Sequence, residues 1–253
     1  MAQEEEKDLY LLLSNQLKEN SISLNLSMRD LYLSSFYLVQ SILDIFSEKC
    51  ALDKKVVDIQ GLANTFQVEI VEKNLQLESC VFNQGMSGYL DYYKHKYKKY
   101  PWTIYINNNM GSLTKRYVIA HELGRFFLNY PSYKGDTSCY TNPLFPKKEE
   151  EQLCDIIASF LLMPIGIVLD LMKEYIDNCK RQKKYSVDMY DWLSHLGSMM
   201  GVSDYHTVSC FQNIRYLGGI IFESNGQWEQ IKEKDYCSEI YKKIEEYPLF
   251  FLG

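Results

Sequence analysis

The chain has 253 residues, of which 46% are hydrophobic and 24% charged, a composition typical of a folded globular protein. Its net charge of −6 at pH 7 argues against a protein whose main task is to coat nucleic acid, because Lys and Arg dominate phosphate binding. The longest apolar run, residues 159–172, is shorter than the ~20 residues that a membrane-spanning helix needs. The first eight residues include four acidic side chains in place of a basic secretory signal, so we expect a cytoplasmic protein with no membrane partner.

Helices and a small sheet are predicted in the N-terminal half. Residues 8–19 and 28–48 place apolar side chains at three- and four-residue intervals, which predicts two helices, and residues 56–67 predict a shorter third one. A strand is expected to begin at Val68, and the alternation of apolar and polar residues over 102–107 predicts another. We therefore expect a small antiparallel sheet.

Helices also dominate the prediction for the rest of the chain. They are expected over residues 115–128, 147–163, 165–180, 188–200 and 204–216, with a strand over 218–222 and a closing helix over 229–246. The last pair before that strand flanks Gly201-Val202-Ser203 and is similar to a helix-turn-helix unit. The predicted fold class is α+β, with a mainly helical body.

One helix carries a chemically informative motif, Ile119-Ala120-His121-Glu122-Leu123-Gly124-Arg125. In the pattern His-Glu-x-x-His, positions i and i+4 point two imidazoles at one zinc ion, and the Glu between them acts as general base for the bound water. Arg125 stands where the second His belongs. A guanidinium is only a donor, and a unit charge ~4 Å from a dication repels it by roughly 8 kcal/mol at an effective dielectric of ~20.

Two segments, residues 116–124 and 151–164, the latter ending in Leu-Leu-Met-Pro, together resemble the ImmA/IrrE family of zinc metallo-endopeptidases. The resemblance spans about residues 56–218 and implies a zincin-like body. It implies that His121 and Glu151 bind zinc and that Glu122 is the catalytic base. The second family His falls at Arg125, and a further His that is often found four residues later falls at Asn129.

Each site residue also has a purely structural interpretation. His121 could be a buried, hydrogen-bonded histidine, and Glu151 could stabilise the first turn of its helix, where carboxylates favour the helix dipole. Arg125 could pair with Glu151 or Glu122 in a site that has lost its metal, or it could point away while another residue binds zinc. The candidates for such a replacement ligand are Tyr133, Asp136, Cys139 and His206.

Two functions follow from the resemblance. The first is a zinc endopeptidase that cleaves a protein, typically a transcriptional repressor that controls a mobile element or a stress response. The alternative is a catalytically degenerate pseudopeptidase that regulates by binding a protein. Direct nucleic-acid binding is disfavoured, because Arg215 is the sole Lys or Arg of the predicted helix 204–216. We expect an N-terminal helical extension over residues 1–50, a metallopeptidase-like domain over 51–180 and a helix-turn-helix-like subdomain over 181–253.

Overall fold

The computed structural model describes residues 27–50, 56–75, 87–92, 102–129, 147–183 and 188–223. The elements within these ranges are α1 (Met28–Cys50), α2 (Ile59–Thr65), β1 (Val68–Lys73), β2 (Gly88–Tyr92), β3 (Trp102–Asn107), α3 (Ser112–Asn129), α4 (Lys147–Leu162), α5 (Ile165–Arg181), α6 (Met189–Met200) and α7 (Asp204–Glu223). The α+β fold class is confirmed. The helices predicted over 8–19 and 229–246 lie outside the described residues.

The strands form a sheet in the order β1-β3-β2. β2 pairs with β3 in antiparallel fashion, with Leu90 opposite Ile104, whereas β1 pairs with β3 in parallel, with Ile70 opposite the same Ile104. The prediction of an antiparallel sheet is therefore wrong for one of these two pairings. Two parallel strands need a long connection between them. Here the connection from β1 to β3 contains β2, which lies on the other side of β3 from β1, so that β3 is the central strand.

The hydrophobic core is centred on α3 and α4. Leu123, Phe126 and Phe127 of α3 and Ile157 of α4 are at most 1% exposed, and they pack in the same cluster as the sheet residue Ile104. Helix α1 packs against α4 and α7 on the same core. The apolar periodicity of the sequence thus brings α3 and α4 side by side, and these two helices carry the residues of interest.

Helices α6 and α7 meet at a tight turn. Asp188 caps α6 by accepting a hydrogen bond from the backbone N–H of Tyr190, and Gly201 ends the helix at φ 64°, in the left-handed region that glycine adopts without steric cost. Helix α7 then runs to Glu223, so the strand predicted over 218–222 is wrong. Ile214, Leu217 and Ile220 recur every three residues and are all buried, which continues the helix.

Among the described residues, no single helix is long and apolar enough to cross a membrane; the pair Glu150–Leu162 and Ile165–Arg181, bent by 54°, meets the length and composition criteria when taken together.

Candidate functional site

One face of α3 presents its polar side chains to α4. Tyr117, His121 and Arg125 follow one another at four-residue spacing and line a common cleft with Glu122. Residues four apart share a helix face because the helix repeats every 3.6 residues. The motif found in the sequence therefore lies on one side of one helix, as its spacing predicts.

Helix α4 supplies three carboxylates to the same place, Glu150, Glu151 and Asp155. The two helices approach closely at Gly124, where a Cβ atom would lie 3.2 Å from both the Cα and the carbonyl oxygen of Cys154. A glycine at this position lets the backbones meet, and the carboxylates of α4 come within hydrogen-bonding distance of α3.

Arg125 is surrounded by carboxylates. Its Nε donates to Glu122 Oε2 at 3.1 Å, its Nη1 donates to Glu150 Oε1 at 3.1 Å, and its Nη2 donates to Glu151 Oε1 at 2.8 Å. Burial works against the charge of Arg125, but the carboxylates of Glu122 and Glu151 outweigh it and raise the pKa of the guanidinium above its ordinary value. Three nitrogens thus each have a carboxylate partner, and the charge stays on Arg125 at any accessible pH.

His121 lies between two carboxylates on opposite sides of its ring. Nδ1 is 2.8 Å from Asp155 Oδ1, and Nε2 is 3.1 Å from Glu151 Oε2. Burial alone would lower the pKa of His121, yet the hydrogen bonds to Asp155 and Glu151 raise it to about 9. The imidazole is therefore protonated at neutral pH and donates from both nitrogens. In return, the pKa of Glu151 falls to about 2, first through its hydrogen bond with His121.

The 3.4 Å separation between Arg125 Nη2 and His121 Nε2 is a close approach of two donors, since a protonated imidazole cannot accept a hydrogen bond. Two cations this close would repel each other in isolation. Here Glu151 bridges them, with one carboxylate oxygen toward each. The geometry thus describes an ion cluster in which positive and negative groups alternate.

The cluster forms the floor of a cleft of about 740 Å³ that reaches the edge strand β2 at Tyr89 and Leu90. His206 of α7 also lines the cleft, and its ring stacks on Tyr117 with centroids 3.9 Å apart. Tyr117 donates its hydroxyl to Asp155 Oδ1 at 2.8 Å. The helix-turn-helix-like unit therefore contributes a wall to the cleft through His206.

The side chains at the cleft differ in exposure. Glu122 and Glu150 are 6% and 0% exposed, whereas Glu151 is 41% and Asp155 is 50% exposed. The mouth of the cleft is therefore acidic, and the positive charge of Arg125 lies beneath it.

Zinc does not fit this arrangement. A zinc ion bound to His121 Nε2 and Glu151 would lie ~2 Å from each ligand atom and would need an unprotonated imidazole. Arg125 Nη2 is already 2.8 Å from Glu151 Oε1 and 3.4 Å from His121 Nε2, so a guanidinium takes the place of the cation. Within the part of the chain that the structure describes, no three His, Cys, Asp or Glu side chains are grouped to hold a metal.

The residues singled out in the sequence meet in one cluster. Arg125 contacts His121, Glu122 and Glu151, and it takes the paired alternative, with both Glu122 and Glu151 as hydrogen-bond partners. His206 lies at the cleft wall, while Tyr133, Asp136 and Cys139 fall outside the described residues. The roles of His121 and Glu151 as ligands and of Glu122 as base stay predictions.

Three contributors to the cluster escaped the sequence analysis. Asp155 follows Glu151 by four residues, and Tyr117 precedes His121 by four, so helical spacing was a usable signal for both. Glu150 had no such signal, because a run of three glutamates at a helix start is also what favourable dipole interactions produce.

Comparison with known families identifies the part of the chain that carries the cluster. A family model described as peptidase M78, IrrE N-terminal-like domain, matches residues 64–188. The match covers the three strands and helices α3 to α5, and so includes every partner of Arg125 described above, whereas His206 lies beyond it. No curated protein matches the chain significantly.

Proposed function

We propose that this chain, which residues 64–188 make a member of the ImmA/IrrE family, acts as a pseudopeptidase. The family is one of zincin-like metallopeptidases. A pseudopeptidase is a regulatory module that binds a protein in the cleft without cutting it. The observation that carries this proposal is the Arg125 guanidinium, held by Glu122, Glu150 and Glu151 where a peptidase of this type needs its metal.

Glu122 supports the same conclusion. A general base must reach the water whose proton it takes and must be free to accept that proton. The Glu122 side chain is 6% exposed and accepts a hydrogen bond from Arg125 Nε. The carboxylate is therefore shielded from solvent and engaged by Arg125, which is not the position of a base that must reach a water molecule.

The cleft that remains suits an extended protein segment. It lies beside an edge strand and has an acidic mouth at Glu151 and Asp155, so a segment with Lys or Arg side chains complements its charge. As the family resemblance implies, the partner we propose is a transcriptional repressor, which acts in the control of a mobile element or a stress response. DNA-binding proteins carry basic segments of the kind that this mouth would accept.

Hydrolysis and binding are tested separately. We expect the full chain, supplied with zinc, to hydrolyse labelled casein no faster than its Glu122→Gln variant. Zinc-dependent hydrolysis that Glu122→Gln abolishes would overturn the proposal. It would support the other candidate, a zinc endopeptidase, which the presence of His121, Glu122 and Glu151 favours.

Binding is measured with fluorescent decapeptides that carry either two central lysines or two central glutamines. The lysine peptide should bind more tightly, and Asp155→Asn should reduce that preference by a few-fold. Gln152→Glu on the same helix serves as a control outside the cleft lining. Equal binding of both peptides would contradict the charge complementarity on which the partner assignment rests.

A further inference from the structure

The family resemblance assigns no role to Glu150, yet this side chain is the most deeply buried carboxylate of the cluster. It is 0% exposed, and Arg125 Nη1 donates to its Oε1 at 3.1 Å. Placing a carboxylate inside a protein is unfavourable unless a cation or several donors accompany it. Glu151, the next residue, is 41% exposed and faces the cleft. The two neighbouring glutamates therefore have different environments and different tasks.

We propose that Arg125 and Glu150 form a structural pair that places an internal organic cation where the metal ion of the family would lie. Arg125 supplies a permanent positive charge, and Glu150 is the positioning residue that holds the guanidinium inside the protein with its Nε toward Glu122 and its Nη2 toward Glu151. The inference rests on the proposed function in one respect, which is that the site works without zinc.

The directions of the three hydrogen bonds distinguish this arrangement from an accidental ion pair. A guanidinium is planar, and its donors point along fixed directions. Glu122 lies on the same helix as Arg125, and Glu151 is held in addition by His121 Nε2 at 3.1 Å. Glu150 occupies the remaining nitrogen, Nη1, from the buried side. With that contact the guanidinium is bound from three directions, and it is not free to rotate out toward solvent.

Two consequences follow. The packing of α3 against α4 at the cleft should be insensitive to zinc and to chelators, because the cation is part of the chain. A lysine should not replace Arg125, since its ammonium is a single charged point that cannot direct three donors along the plane that these carboxylates define.

A double-mutant cycle of Arg125→Gln and Glu150→Gln tests the pairing. Arg125→Gln removes the guanidinium from the buried carboxylate of Glu150, and Glu150→Gln removes the carboxylate from Nη1 of the buried guanidinium. Each single variant should therefore raise the unfolding equilibrium constant by about a hundredfold. The unfolding equilibrium constant of the double variant should be at least about tenfold smaller than the product of the two single effects predicts. A coupling of about fivefold or less, which is what an exposed ion pair can give, would overturn the pair.

The exposed ion pair Lys115–Glu72 provides the matched control, since it also joins α3 to another element but leaves Glu72 53% exposed. The cycle of Lys115→Gln and Glu72→Gln should show a coupling of less than about fivefold. If Arg125→Gln fails to fold, Arg125→Lys and Glu150→Asp replace the two substitutions and keep both charges. The same limit of about fivefold then decides.

The nitrogen resonances of the His121 imidazole provide a second measurement, which reports on the position of the guanidinium and not on overall stability. Glu150→Gln should shift the imidazole nitrogen resonances of His121. Arg125 Nη1 then loses its carboxylate, the guanidinium changes its contact with Glu151, and Glu151 in turn contacts His121. Glu72→Gln should leave these resonances unchanged. Unchanged His121 resonances in a folded Glu150→Gln variant would overturn the positioning role. This result is independent of hydrolysis, so failure of the inference and failure of the pseudopeptidase proposal can be told apart.

Discussion

His121 lies at the centre of the cleft and bonds a carboxylate at each ring nitrogen, Asp155 at Nδ1 and Glu151 at Nε2. A histidine that binds a metal must present an unprotonated nitrogen. With a pKa of about 9, His121 carries protons on both nitrogens at neutral pH. The residue that the motif marks as a ligand therefore acts as a second cation beside Arg125, and each of the two cations contacts carboxylates of the cluster.

This protonation predicts a pH dependence of stability. The pKa of His121 is raised from 6.5 to about 9 in the folded chain, so its stabilising contribution is complete below 6.5 and is lost as the pH rises through about 9. The free energy of unfolding, measured by denaturant titration between these two pH values, should fall with rising pH. His121→Gln should flatten this slope. A wild-type stability that stays constant over the same interval would contradict the assignment.

The sequence alone indicates part of this cluster of residues. Helical spacing placed His121, Glu122 and Arg125 on one helix and the family resemblance brought Glu151 to them. The orientation of Arg125 could not be decided, because it depends on the buried Glu150, whose position in a run of glutamates looks the same as a helix-dipole contribution. Tertiary burial, which the sequence does not display, distinguishes the two.

At the scale of elements, the approach of α3 to α4 depends on Gly124. A methyl group there would meet the backbone of Cys154 at 3.2 Å, and backbone cannot move aside as a flexible side chain can. We predict that Gly124→Ala separates the two helices and lowers the free energy of unfolding by ~1–3 kcal/mol, the usual cost of overpacking a tight contact. Chemical denaturation measures this change.

Gly166 provides the control for that substitution. It lies in helix α5, and a methyl group added there would have nothing within 4 Å, so no contact opposes a larger residue. Gly166→Ala should raise the free energy of unfolding by up to ~1 kcal/mol, because alanine favours helix more than glycine does. If the two variants shift stability in the same direction, close packing at Gly124 is not what the glycine provides.

Helices with a clear apolar period were predicted close to their observed bounds. Features that depend on tertiary packing, such as the end of α7 and the direction of strand pairing, were not predicted correctly. The period of three to four residues placed α1, α3, α4, α5 and α6 within a few residues of their observed bounds. A strand was predicted over 218–222, yet this run continues α7, where Ile220 packs in the core. The strand that begins at Val68 was predicted, but its parallel pairing with β3 was not, because local alternation does not encode strand direction.

At the scale of the molecule, a series of hydrogen bonds connects helix α1 to α7 and α4. Tyr32 of α1 donates to Asn213 Oδ1 of α7 at 2.7 Å, and Asn213 Nδ2 donates to Ser159 Oγ of α4 at 2.9 Å. Burial raises the pKa of Tyr32 to about 12, so the hydroxyl keeps its proton. Helix α1 thus shares polar contacts and hydrophobic core with the helices that form the cleft.

We predict that Tyr32→Phe lowers the free energy of unfolding by ~0.5–1.5 kcal/mol, the net value of one hydrogen bond, while fluorescence and circular dichroism still report one common transition. Tyr190→Phe, at a side chain that is 74% exposed, should change stability by less than ~0.5 kcal/mol. Separate transitions for the two probes in Tyr32→Phe would instead mean that α1 is held mainly by this contact.

Zinc content tests the central claim most directly, namely that Arg125 stands in for the metal. The full chain, purified without chelator and dialysed against zinc, should contain far less than one zinc per chain by elemental analysis. Arg125→His should contain more, because it restores the i, i+4 histidine pair. About one zinc per chain in the wild type, lost in His121→Ala, would contradict the account and restore the zinc endopeptidase as the better description.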